Sequence, residues 1–227
     1  MRRVLAIVLC VLAPLAPASA AASGEALFEK FLEAVGGRAD WAAAKGTMND
    51  SQQNRSGDPP VVRASIWMDF TAPRFRIETR GPDFTTVRVI DGLRSWRLLR
   101  DGKIEAVPAD LFADDMNWYG AHVYRSIHRL AVRDPLLSVA VGKNGRLEVF
   151  EQGKRLIWFR LDARGEPFAF GQRDDEAGTI CGPWEFEAGG IKHPFWVSQP
   201  DGAWRANIKA LEVNPRIDAE LLERPRS

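Results

Sequence analysis

From Val62 to the end of the chain, most residues alternate apolar and polar with a period of two, and Gly or Asp-Gly steps interrupt the pattern. Val62, Ala64, Ile66, Met68 and Phe70 alternate with Arg63, Ser65, Trp67 and Asp69. Phe75, Ile77 and Thr79 alternate with Arg74, Arg76 and Glu78, and Val87 and Val89 follow a Gly81-Pro82-Asp83 turn. Asp91-Gly92 and Asp101-Gly102 are hairpin signals on either side of 95–100. The second half repeats the habit over 146–151, 154–162, 167–173, 184–187, 191–198 and 203–213, punctuated by Gly153, Gly165, Gly189-Gly190 and Gly202. Successive side chains of a strand point to opposite faces, so this period means strands. The short breaks between them permit antiparallel pairing only.

Two segments have a different period. Leu27, Phe28, Phe31, Leu32 and Val35 recur at helical spacing over 24–35, with Ser23 as N-cap and Gly36-Gly37 as the stop. Leu111, Phe112, Met116, Tyr119, Val123, Ile127 and Leu130 do the same over 109–131, where Gly120 bends or splits the helix. Asp134-Pro135 ends that stretch, and 136–141 reads as another short helix. The segment 45–54 is a polar strand candidate, weak by composition. The order helix, strands, helix, strands is an α+β pattern. About ten strands in one open antiparallel sheet curl strongly. The expected fold is a curved antiparallel sheet forming an incomplete β-barrel, covered by helices on its concave side.

The N-terminus reads as an export signal. Met1-Arg2-Arg3 is basic, 4–16 is apolar, and Ala18-Ser19-Ala20 is an A-x-A cleavage site. Residues 1–20 are then a secretory signal peptide, 21–227 a single domain, and the destination is the periplasm. Cleavage removes Arg2 and Arg3, leaving 29 basic against 30 acidic residues. That balance argues against a nucleic-acid surface. No further stretch approaches the length of a transmembrane segment. Cys181 is the one cysteine past the signal, which excludes an internal disulfide.

Eight tryptophans are a heavy load for one such domain. Trp67 lies on the face opposite to Ile66, Met68 and Phe70, and Leu156 and Trp158 lie opposite to Ile157 and Phe159. A sheet with one wet face does not do this. Both faces of these strands need a cover: helices, a partner or a ligand. The candidates for lining an apolar cavity are Trp67, Trp96, Phe112, Met116, Trp118, Trp158 and Trp196. The polar candidates are Arg74, Arg76, His122 and His128.

Catalytic patterns are sparse. Cys181 precedes Gly182-Pro183-Trp184, so no resolving cysteine follows it and a dithiol mechanism is impossible. A nucleophilic Cys181 needs a base, and His193, beyond the Gly189-Gly190 turn, is the candidate. His122 and His128 are six positions apart and share no helix face, so they form no zinc pair, and Asp114-Asp115 has no identifiable partner. No metal and no cofactor are expected.

A short amphipathic helix ending in Ala34-Val35-Gly36-Gly37, the run Pro73-Arg74-Phe75-Arg76-Ile77-Glu78, Asp91-Gly92 followed by Trp96, and the tail Leu211-Glu212-Val213-Asn214-Pro215-Arg216-Ile217-Asp218 with Arg224-Pro225 resemble, in that order, the LolA/LolB-like superfamily of periplasmic lipoprotein carriers. The lipidated cysteine of the LolB type is absent, and Leu222-Glu223-Arg224 replaces the usual aromatic before the terminal proline. The resemblance implies an unclosed barrel around helices, with acyl chains held between them. The expected function is binding of a lipid or acyl chain, possibly of a lipoprotein. The alternatives are an envelope protein-interaction or sensor domain and, third, a hydrolase using Cys181 and His193.

Overall fold

The computed structural model describes residues 18–55 and 58–225. The chain opens with α1 (Ala18–Ala34) and α2 (Arg38–Ala43). Then come β1 (Gly46–Arg55), β2 (Asp58–Asp69), β3 (Arg74–Arg80), β4 (Thr85–Asp91), β5 (Trp96–Leu98) and β6 (Ile104–Ala106). Two helices follow, α3 (Ala109–Gly120) and α4 (Val123–Ala131). The second run comprises β7 (Leu137–Val141), β8 (Leu147–Glu151), β9 (Lys154–Leu161), β10 (Pro167–Gln172) and β11 (Thr179–Cys181). It continues with β12 (Phe186–Ala188), β13 (Ile191–His193), β14 (Trp196–Ser198) and β15 (Trp204–Val213), before α5 (Ala219–Leu222). Thirteen strands make one sheet, ordered β6-β5-β4-β3-β2-β1-β15-β14-β11-β10-β9-β8-β7, and β12-β13 form a separate hairpin. The sheet is antiparallel, curved and unclosed, and the α+β expectation holds. The segment 1–17 lies outside the described residues, and Ala18-Ser19-Ala20 forms the start of α1.

The α1 helix buries Phe28, Phe31, Leu32 and Val35, and packs on β7 and β8. Phe31 meets Phe159 of β9 at 4.8 Å between ring centroids. The helix stops at Gly36 and Gly37, both at positive φ. A Cβ on Gly36 would stand 2.4 Å from the Gly190 carbonyl oxygen, so close approach as well as conformation requires glycine. Trp41 of α2 is fully buried and donates from Nε1 to the Val35 carbonyl at 2.9 Å.

The helical stretch 109–131 splits after Gly120 into two helices, with a corner at Ala121-His122, where His122 is extended. Tyr119 Oη fastens the corner to the β2–β3 turn, lying 2.8 Å from the Asp69 carbonyl and 2.7 Å from that of Ala72. An Arg88–Asp115 ion pair at 2.8 Å ties α3 to β4.

Two local expectations need correction, and a third is strengthened. Segment 136–141 is the edge strand β7, paired with β8 through Val139↔Val149. Its one uncovered face is closed by α1, whose Gly24 would carry a Cβ only 2.8 Å from Ala140 Cα. The weak candidate 45–54 is a full ten-residue strand at the centre of the sheet. The expected strand 191–198 is broken at Pro194: β13 pairs Phe186↔His193 in the small hairpin, while β14 rejoins the main sheet. The strands number more than ten because β5, β6, β11 and β14 are only three residues long.

The chain covers much of its own outer face. The loop after β10 folds back over Trp158, whose Nε1 donates to the Asp175 carbonyl at 2.8 Å, and the Arg146 guanidinium lies 4.8 Å from the ring. The tail with α5 covers β3 to β5: Trp96 Nε1 donates to the Leu222 carbonyl at 2.9 Å, and Val87, Val89, Trp96 and Leu222 form a small second core. Trp67 is the exception. It stays half-buried on the outer face, between Met48 and Arg76 in register, beside Arg63 and Arg80. No helix among the described residues is long and apolar enough to cross a membrane.

Candidate functional site

The inner face of the sheet does not pack solidly against the helices. A cavity of about 380 Å³ lies between the central strands and the α3–α4 corner. Its floor is β1. Thr47, Asn49, Ser51 and Gln53 occupy alternate positions and all face the cavity. Six residues of rise make that row about 20 Å long. On one side β2 contributes Ile66 and Met68, and on the other β14 and β15 contribute Val197, Ala206, Ile208 and Trp204. Phe170, Gln172 and Thr179 form the far wall, and Trp118, His122, Val123 and Tyr124 the roof.

The corner that ends α3 and begins α4 thus delivers the roof. Trp118 and His122 meet edge to face at 4.9 Å, and His122 meets Tyr124 the same way at 5.5 Å. Tyr124 is buried, with Asn49 of the floor acting on its hydroxyl. Burial pushes the Tyr124 hydroxyl above its ordinary range, against the pull of Asn49, so it stays protonated. Burial, with the nearby Arg125 charge, pushes His122 down to about 3, so the imidazole is neutral. Its Nδ1 is shielded from solvent and has no hydrogen-bond partner among the described residues.

Of the expected lining residues, Trp118 and His122 reach this cavity. Phe112 and Met116 sit on the same helix but pack into the main core. Trp96 and Trp158 are fully buried beneath the tail and the post-β10 loop. Trp196 lies under Arg205, whose guanidinium is 4.2 Å from the ring. Trp67 faces outward. Arg74 pairs with Asp69 at 2.5 Å, and Arg76 pairs with Glu78 at 2.8 Å while donating to the Leu221 carbonyl. His128 is buried, with Nδ1 at 3.0 Å from the Trp41 carbonyl. The β1 row, Tyr124 and Trp204 were not singled out in the sequence. The one signal for the row is four uncharged polar side chains at alternating positions 47, 49, 51 and 53.

Cys181 and His193 do not make a nucleophile–base pair. Cys181 is opposite Val197 in the main sheet, whereas His193 is opposite Phe186 in the hairpin. The thiol donates to the Pro167 carbonyl at 3.2 Å, and burial pushes it up to about 12. His193 is pushed down to about 4 by burial, with Nδ1 beside the Pro194 carbonyl. A protonated buried thiol is a poor nucleophile. Among the described residues, no cluster of His, Cys, Asp and Glu is placed to hold a metal ion.

No family model matches the sequence, and no curated protein matches it significantly. Among solved structures, the chain is similar to a DUF1329 family protein from Desulfovibrio piger, at 11% identity and a TM-score of 0.41, over 88% of this chain and 98% of that one. It is also similar to MucB, at 14% identity and a TM-score of 0.32, over 90% of this chain and 63% of that one.

Proposed function

We propose that the chain is an exported, periplasmic protein of LolA/LolB-like type that binds the apolar part of a lipid or acyl chain between its sheet and the α3–α4 corner. The observation that carries this reading is the cavity itself. At about 380 Å³ it falls within the size range of small-molecule pockets, roughly 300–1,000 Å³. Its walls are aromatic and aliphatic side chains such as Trp118, Phe170, Ile66 and Ile208.

The export signal at 1–20 supports the compartment, and the order of the resembling segments supports the type. Native mass spectrometry of protein recovered from a periplasmic extract tests the proposal. The expected spectrum shows a chain beginning at Ala21 with a non-covalent lipid adduct. A ligand-free protein that also fails to bind a hydrophobic fluorescent probe would overturn the binding reading, and an intact 1–20 segment would overturn the compartment.

A further inference from the structure

The cavity floor contradicts a purely apolar occupant. A dry core places aliphatic residues on the inner face of its central strand, yet β1 presents Thr47, Asn49, Ser51 and Gln53. Their hydrogen bonds are long. Ser51 Oγ to the Ala64 carbonyl is 3.4 Å, Gln53 Nε2 to Ser51 Oγ is 3.4 Å, and Trp204 Nε1 to Gln53 Oε1 is 3.3 Å. Good bonds of these kinds fall between roughly 2.5 and 3.2 Å. The row therefore has donors and acceptors to spare.

The lining also carries almost no charge. Asp175 is the one acidic residue among the described lining, and one of its carboxyl oxygens accepts from the Gly178 N–H at 2.9 Å. Among the described side chains, no lysine or arginine lines the cavity. Arg125, beside the roof, is engaged elsewhere, with its guanidinium 4.5 Å from the Tyr119 ring and donating to the Gly120 carbonyl, although its charge reaches His122. An ionised head group here would lose water and find no direct ion-pair partner among the described side chains, which is costly. A neutral hydroxyl or amide would instead complete the bonds that β1 leaves open.

We infer that the natural ligand is a single-chain amphiphile whose polar group is uncharged and is held by the β1 row. This rests on the binding proposal above and narrows its ligand class. The small volume and the length of the row both suit one chain rather than a lipid with several.

The test is displacement of the fluorescent probe N-phenylnaphthylamine from the full-length mature protein at neutral pH. Dodecanol and dodecanamide are expected to displace it at about ten-fold lower concentration than dodecanoate, whose charge the site cannot neutralise. In the Asn49→Leu/Ser51→Val double variant that preference should shrink to about three-fold or less, read as a ratio within the variant whatever its absolute probe affinity. If the double variant fails to fold, Ser51→Val alone supplies the same comparison. Dodecanoate binding as well as dodecanol, or a preference unchanged in the variants, would overturn the inference and leave the cavity proposal standing. Failure of the wild-type protein to bind the probe at all would overturn both.

Discussion

The strands β1 and β9 lie in the same sheet and are built on opposite plans. In β9, Leu156, Ile157, Trp158 and Phe159 are consecutive and all fully buried, so both faces are dry. The inner face meets Phe31 of α1 and the outer face meets Arg146 and the post-β10 loop. In β1, the inner row is Thr47, Asn49, Ser51 and Gln53, and the outer row holds Met48, Asp50 and Gln52. Yet β1 is paired along most of its length with β2 and β15. Backbone pairing fixes where a strand sits. Its side chains then decide whether the space against it closes. Where β9 offers large apolar groups, the helix packs down. Where β1 offers short polar ones, the helices leave a cavity.

The sharpest way to break this contrast is to cut equivalent inner positions. Phe159→Ala should lower stability by about 3–5 kcal/mol, because it opens a void in a packed region. Ser51→Val should change it by less than about 1 kcal/mol, since the lost bond is long and the site already has room. Urea unfolding measures both, and equal costs would erase the distinction between the two halves.

Acidification should come next in size. All three histidines are held below their ordinary value, His193 to about 4 and His122 to about 3, with His128 lowered by burial as well. The unfolded chain takes up these protons near pH 6.5, before the folded one does. Stability is therefore full above about pH 6.5 and is lost as the pH falls toward about 4. Asp69 extends the loss. Burial raises its carboxyl, but the Thr71 and Arg74 hydrogen bonds outweigh that and hold it low, so its contribution vanishes only in stronger acid. Melting temperatures measured from neutral pH to about pH 4 should fall, and less steeply in His193→Phe. A flat profile would mean that the histidines titrate normally.

Trp118→Ala sharpens the comparison through binding. It removes one roof wall and should weaken probe affinity about ten-fold, whereas Trp158→Phe should leave affinity unchanged. Fluorescence titration separates the two. The smallest effect belongs to Cys181. Iodoacetamide should leave it unmodified in the native protein and alkylate it only in denaturant, with Cys181→Ala binding the probe like the wild type. Rapid native alkylation would show the site to be more open than its burial implies.

The sheet was legible because period two survives wherever one face is apolar, as in β2 to β4. It faded in β1, where Met48, Asp50 and Gln52 on one face and Thr47, Asn49 and Ser51 on the other leave no hydrophobic phase to detect. It misled at 136–141, because a short apolar run fits a buried helix or an edge strand equally well. The helical corner was half legible: Gly120 marked the break, but nothing local showed that His122 and Tyr124 would roof a cavity. The tryptophans drew attention to size rather than position. Trp41, Trp96, Trp158 and Trp184 are fully buried, and each of these four gives its Nε1 hydrogen to a neighbour within the chain.

The pairing of β1 with β15 joins residues near 50 to residues near 210, at the very middle of the sheet. Each flank of the sheet is assembled from strands close together in sequence, and closes over short loops. The seam between them does not. Formation of β1–β15 waits until nearly the whole chain is available, and contacts of such long sequence separation are slow to form. The cavity floor straddles that seam. A chain that stops short of β15 would keep the β1 floor but lose the wall that Trp204, Ala206 and Ile208 supply.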